Sequence, residues 1–180
     1  MVDDSILNKL NKIQVSLSET EVLDRLLDRR RWPIHYIDGQ PSVEAIKEDG
    51  TKHQNFFDDD HYLNSAQAIN CYEEGYSLIL SNIGGFNHST FLVQEILNDH
   101  FQRRINCNFY FGNGKKSVSF EKHQHDYPVI VKNIYGTSKW IIDNKEVVLG
   151  NQDVIWFDKN TDHQVIEISE PKLSMTCNIA

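Results

Sequence analysis

The triplet His123-Gln124-His125, with a third imidazole at His163, is the part of this chain best equipped for chemistry. Side chains two apart on a strand share a face, so His123 and His125 can point together and His163 can complete a three-nitrogen metal site. Neutral imidazole binds iron, zinc, copper, nickel or manganese, and three such ligands leave positions open for a substrate or oxygen. Other clusters are weaker. Asp58-Asp59-Asp60-His61 reads as a solvated acidic loop rather than a cation site. Arg29-Arg30-Arg31 reads as a helix end, where cations oppose the negative pole of the dipole before Trp32-Pro33 stops it. Cys71, Cys107 and Cys177 are odd in number and widely spaced, which fits reduced core residues better than a disulfide scaffold or a thiolate zinc site.

The elements that must position the histidines are short strands. Beyond position 105 the chain reads as strand and turn: 105–111, 117–126, 129–135, 139–142, 145–149, 153–157, 164–168 and 173–179, separated by Gly, Asn, Asp and Pro signals. Eight strands at this spacing predict a jelly roll, with His123 and His125 on the second strand and His163 at the turn between the sixth and seventh. Upstream, two helices fill the first thirty residues. The second is opened by the capping box Ser18-Glu-Thr-Glu21 and carries Val22, Leu23, Leu26 and Leu27 as its buried stripe. A short helix is expected over 42–47, an apolar strand over 76–83 before Gly84-Gly85, and a helix over 89–102 that buries Phe91, Leu92, Ile96 and Phe101. The expectation is one mainly β domain with N-terminal helices: a helical and mixed part, 1–104, packs on a barrel core, 105–180, which strand 76–83 joins.

Composition excludes some functions. A net charge of -8, from 26 acidic and 18 basic side chains, argues against the phosphate-neutralising surface of a nucleic-acid binder. No stretch approaches the ~20 apolar residues of a membrane span, and the N-terminus lacks the basic-then-apolar pattern of a leader. A cytoplasmic protein is expected.

These residues resemble the cupin superfamily, and within it the JmjC-like Fe(II)- and 2-oxoglutarate-dependent oxygenases that include protein hydroxylases. In that family a strand carries His-x-Asp or His-x-Glu, followed by a glycine and an aromatic thirteen and seventeen positions after the histidine, where Gly136 and Trp140 stand after His123. The family's second motif, Gly-Asp-apolar-apolar-aromatic-apolar-Pro-x-Gly-x-x-His, is similar to the segment from Gln152-Asp153 through Asp158 and Asn160 to His163, with spacing kept and both glycines and the proline replaced. Asn108-Phe-Tyr110 resembles the strand that lines the co-substrate pocket. Asn178 stands fifteen residues after His163, as does an asparagine in the closing strand of the asparaginyl hydroxylases. The resemblance implies a double-stranded β-helix, Fe(II) on His123, His125 and His163, and co-substrate contacts from Asn108, Tyr110 and Asn178.

The chain departs from the family at two places. His125 stands where the acidic ligand belongs; Asp126 follows, and only a bulge would bring it inward in place of His125. Ser138 stands where a Lys or Arg usually pairs with the far carboxylate of 2-oxoglutarate, with Lys139 one step on. A serine offers one neutral hydrogen bond and an ammonium a charge-assisted one, so Lys139 is the expected anchor, ahead of Lys132, whose parity sets it opposite the pocket-lining Val129, Val131 and Asn133. The expected activity is a non-haem Fe(II) dioxygenase that hydroxylates a peptide, protein or small molecule with 2-oxoglutarate. The alternatives are a three-histidine cupin dioxygenase without 2-oxoglutarate, which better suits His125 and Ser138, and a non-catalytic cupin sensor or interaction module. A monomer is the simpler expectation, with an edge-strand homodimer as the alternative.

Overall fold

Two antiparallel sheets organise the computed structural model, which describes residues 2–27, 42–47, 49–60, 62–114, 117–118, 120–169 and 171–180. Strands β1 (Val43–Ile46), β2 (Lys52–His53), β3 (Ser77–Leu80), β4 (Asn106–Gly112), β5 (Val129–Tyr135), β6 (Ser138–Ile142), β7 (Lys145–Leu149), β8 (Val154–Phe157), β9 (His163–Ile168) and β10 (Lys172–Asn178) run in chain order. The larger sheet has the order β2-β1-β3-β4-β10-β5-β8, and the smaller is β7-β6-β9. The last strand, β10, lies between β4 and β5. Facing sheets linked in this way form the expected double-stranded β-helix, and β3 pairs with β4.

Period-two patterning divides β10 between two environments. Leu173, Met175 and Cys177 join the large core under the helices, whereas Lys172, Ser174 and Thr176 face the barrel interior. Val129, Val131, Trp140, Leu149 and Phe157 form a second apolar cluster inside the barrel. Cys71, Cys107 and Cys177 are free and buried.

Helices α1 (Asp4–Lys12), α2 (Glu19–Leu27), α3 (Ser65–Glu73) and α4 (His88–Phe101) supply most of the other layer. The capping box forms as expected: the Ser18 amide donates to the Glu21 carboxylate at 2.7 Å, and the Glu21 amide donates to Ser18 Oγ at 3.2 Å. Val22 and Leu26 are buried, but Leu27 is 57% exposed and does not belong to the stripe. Two polar contacts tie this layer to the barrel. The Lys132 ammonium, only 1% exposed, donates to the Leu10 carbonyl at the end of α1 (3.2 Å) and to the Gln152 carbonyl (3.1 Å). The Gln152 amide donates to the Val15 and Ile134 carbonyls and accepts the Val15 N–H. Burial pushes the Lys132 ammonium down to about 8.

Several elements differ from the sequence-based expectation. Residues 42–47 hold the strand β1, not a helix; Val-Glu-Ala-Ile suits either state, and pairing with β3 over all four residues decides it. Helix α3 was not anticipated. Helix α4 is present but turned: Thr90, Val93 and Leu97 are buried, while Phe91 and Leu92 are 46% and 39% exposed. Apolar residues wrap more than one face of α4, and Gln94 fixes the choice by packing where a Cβ on Gly84 would sit and donating to the Ile105 carbonyl. Arg29–Arg31, Trp32, Pro33 and His61 lie outside the described residues. Asp58 caps its own loop, accepting the Asp60 and Tyr62 amides at 3.0 and 2.9 Å.

Candidate metal centre

Segment 117–126 is not the strand that the sequence suggested. Phe120 has φ 70°, which breaks the extended backbone, and a single bridge remains, between His123 and His163. In that bridge His123 N–H donates to the His163 carbonyl at 3.1 Å and His163 N–H returns the bond at 3.0 Å. His163 is the first residue of β9 rather than a turn residue. The bridge sets two of the imidazoles side by side, with ring centroids 4.3 Å apart. His125 completes the group at 5.1 Å from each, stacked on Tyr127, and its carbonyl accepts Asn160 N–H at 2.7 Å.

The donor atoms of His123, His125 and His163 all lie within 4.8 Å of one another. Ligand nitrogens of one metal with bonds near 2.1 Å sit about 3 Å apart, so modest ring rotations close the set. The imidazoles are already oriented. His123 Nδ1 lies 2.8 Å from the Glu121 carbonyl and His163 Nδ1 2.9 Å from the Thr161 carbonyl. A carbonyl only accepts, so each Nδ1 carries the proton and each Nε2 keeps its lone pair for a cation. Burial first, then His123 and His163, push His125 down to about 4; burial also lowers His163. Both are therefore neutral, ligand-ready imidazoles near pH 7. Asp126 is exposed and lies outside the cluster.

The histidines open into a cavity of about 50 Å³ with two unlike walls. Val129, Val131, Trp140, Phe157, Val165 and Ile168 make one apolar wall; Ser77, Tyr110, Ser117, Lys172, Ser174 and Thr176 make the other polar. Gly112 lets the Ser117 segment close against β4, because a Cβ there would lie 2.6 Å from Ser117 Cβ. Among the described residues, none that lines the cavity is acidic. Lys172 is only 4% exposed and donates to Ser174 Oγ at 2.6 Å, with no carboxylate paired to it among the described residues. Burial alone pushes its ammonium down to about 7. Burial also raises the Tyr110 phenol above its ordinary range.

The other residues singled out from the sequence lie elsewhere. Lys139 points outward and pairs with Glu146 on β7 at 2.9 Å. It is absent from the cavity lining, where Lys172 is the cation among the described residues. Ser138 is buried but accepts the Trp140 indole N–H at 2.9 Å. Asn108 accepts the Asn82 amide at 3.2 Å and, like Asn178 at the end of β10, is absent from the lining. Tyr110 does line it. Lys172 was missed because it lies nine residues past His163, outside both motifs; the signal in the sequence was a lone lysine with the period-two polar set Lys172, Ser174, Thr176 in a closing strand.

Three of the motif positions have left-handed backbone. Gly136 has φ 73°, and a Cβ there would sit 2.3 Å from the Pro171 carbonyl oxygen. Gln152 and Asn160, standing for the two missing glycines, have φ 66° and 61°. Asparagine tolerates the left-handed region, and the three bonds of the Gln152 amide hold that residue in it.

Fold and site together define a double-stranded β-helix with a three-histidine cluster in its cavity. No family model and no curated protein sequence matches the chain. Among solved structures it is similar to YcfD, a ribosomal oxygenase from Escherichia coli, with a TM-score of 0.59 at 11% identity over 92% of this chain and 44% of that one. A cupin superfamily protein from Desulfitobacterium hafniense DCB-2 matches 42% of this chain and 66% of its own at 11% identity, with a TM-score of 0.38. The chain spans less than half the length of the YcfD chain, and the likeness is one of fold. No helix among the described residues is long and apolar enough to cross a membrane.

Proposed function

We propose that this protein is an Fe(II)-dependent oxygenase that uses 2-oxoglutarate to hydroxylate a C–H bond in a peptide, protein or small-molecule substrate. The observation that carries the reading is Lys172, a buried ammonium without a carboxylate partner among the described residues, in the same cavity as three ligand-ready imidazoles. Burying an unpaired charge is costly, and the arrangement suits an anionic ligand that supplies the missing partner. A dicarboxylate keto acid has the chemistry to reach both ends: one carboxylate toward the histidines, the other toward Lys172 and Ser174. Bound Fe(II) would supply oxygen activation, with the keto acid as the source of electrons. His123, His125 and His163 would hold the ion through three neutral nitrogens. The hydroxyls of Tyr110 and Thr176 orient the acid along the polar wall, and the apolar wall keeps water from it.

Titration of 2-oxoglutarate into iron-loaded protein tests the reading, with succinate release as the second readout. Binding that is lost in Lys172→Met and in His163→Ala supports it. An iron-loaded protein that binds no 2-oxoglutarate favours the three-histidine dioxygenase, which the exposed Asp126 and the all-imidazole donor set also fit. A protein that takes up no metal would leave the interaction-module reading.

A further inference from the structure

The His123-Gln124-His125 segment has lost its strand pairing, yet it must hold two of three ligands in register with the third. Its backbone bonds to the opposite segment are the single His123–His163 bridge and the bond from Asn160 N–H to the His125 carbonyl. Beyond these, one side chain reaches across. The Asp162 carboxylate accepts Gln124 Nε2 at 2.6 Å through Oδ1 and pairs with Lys122 Nζ at 2.6 Å through Oδ2. Its two oxygens thus grip the residues on either side of His123, and Asp162 itself immediately precedes His163.

The carboxylate is presented from a stiff support. Asp162 N–H donates to Asp143 Oδ1 at 3.2 Å, and Asp143 N–H donates to the Asp162 carbonyl at 2.9 Å. Asp143 and Asn144 form the two-residue turn between β6 and β7 with φ 47° and 63°, the left-handed pair of a tight hairpin whose twist matches its strands. A chain of contacts therefore runs from that hairpin through Asp162 to both flanks of His123. An exposed ion pair adds little to global stability. Fixing the separation of two ligand-bearing segments is a different task, because ligands must be held within about 0.5 Å of their productive geometry.

We propose that Asp162 is the positioning residue of the metal centre, a brace that sets the His123-x-His125 segment against His163 through Gln124 and Lys122. The proposal rests on the assignment of the three histidines as ligands, and it assigns no catalytic role to Asp162. Removing an outer residue that orients metal ligands typically costs ten- to a hundredfold in affinity; for an exposed brace the lower end of that range is expected.

The test uses the full chain and Co(II) as the probe, titrated calorimetrically into wild type, Asp162→Ala, Asp162→Asn, Gln124→Ala and the double variant Gln124→Ala/Asp162→Ala. The expected result is about tenfold weaker Co(II) binding in Asp162→Ala, a smaller loss in Asp162→Asn, which still accepts from Gln124, and non-additive losses in the double variant. The melting temperature of the metal-free protein should stay within about 2 °C, a pattern that a merely structural residue would not give. Amide exchange at His123, read in metal-free protein, should be faster in Asp162→Ala. Affinity within twofold of wild type together with unchanged His123 exchange would overturn the brace. If wild type itself binds no Co(II), the metal assignment falls, and His123 exchange alone decides the brace: faster exchange supports it and unchanged exchange overturns it.

Discussion

Replacing Lys172 by methionine should weaken 2-oxoglutarate binding while making the protein more stable. Methionine fills nearly the same volume without the charge, so packing changes little and electrostatics dominates. Burial pushes the Lys172 ammonium from 10.5 down to about 7. That interval, at about 1.4 kcal/mol per pH unit, corresponds to roughly 5 kcal/mol as the upper scale of the cost of keeping a proton on the buried amine. The unfolded chain holds this proton up to about pH 10.5, whereas the folded chain releases it above about 7. Folding stability therefore rises with pH between those limits, and the full cost is carried below pH 7. Lys172→Met removes the cost, less about 1 kcal/mol for the hydroxyl of Ser174, which loses its partner. Even half of the upper figure raises Tm by roughly 5–10 °C for a chain of this size. Thermal melts at pH 6 and at pH 9.5 measure it: the gain should be largest at pH 6 and shrink toward pH 9.5. The same variant loses a charge-assisted contact to the far carboxylate, about 1.5–3 kcal/mol, or ten- to a hundredfold in affinity by calorimetry. A variant that melts no higher than wild type at pH 6, or binds 2-oxoglutarate equally well, would refute the argument.

Other substitutions separate the parts of the architecture. Lys139→Ala breaks only the exposed pair with Glu146 and should leave both stability, within about 0.5 kcal/mol, and 2-oxoglutarate affinity, within twofold, unchanged in melts and titrations. Gln152→Gly relieves a left-handed backbone but loses three hydrogen bonds to Val15 and Ile134, so chemical denaturation should show a net loss of about 1–2 kcal/mol; Asn160→Gly, with the same backbone and an exposed side chain, should be neutral within about 0.5 kcal/mol. Metal affinity should fall by less than about tenfold between pH 8 and pH 6, because burial holds His125 neutral there and shifts His163 in the same direction; a steeper fall in a Co(II) titration would contradict the burial that lowers them.

The barrel was legible in the sequence because its strands alternate in and out and end at turn residues: 145–149 matches β7, and 129–135 matches β5. The histidines were legible because the chemistry needs their type and spacing. Tertiary partners decided what remained. Residues 42–47 take strand form because β3 offers an edge, and no periodicity in four residues encodes that neighbour. The segment 117–126 alternates well enough for a strand, but the left-handed Phe120 interrupts it, and nothing in an aromatic side chain announces such a backbone. Motif distance pointed to Lys139 and was silent on Lys172, since pairing across β6 and β7 gave the first lysine a glutamate on the outside and the closing strand carried the second into the cavity.

The position of β10 has a consequence for how the molecule is made. The strand follows every other strand of both sheets in the chain, yet it occupies the middle of the larger sheet and carries Lys172, Ser174 and Thr176. Until it docks, β4 and β5 present unpaired edges to each other, and the inner wall of the barrel is missing its central slat. A folding chain of this design stays open to aggregation until that distant strand is seated, and a substitution that unseats β10 would forfeit the sheet and the cavity in one event.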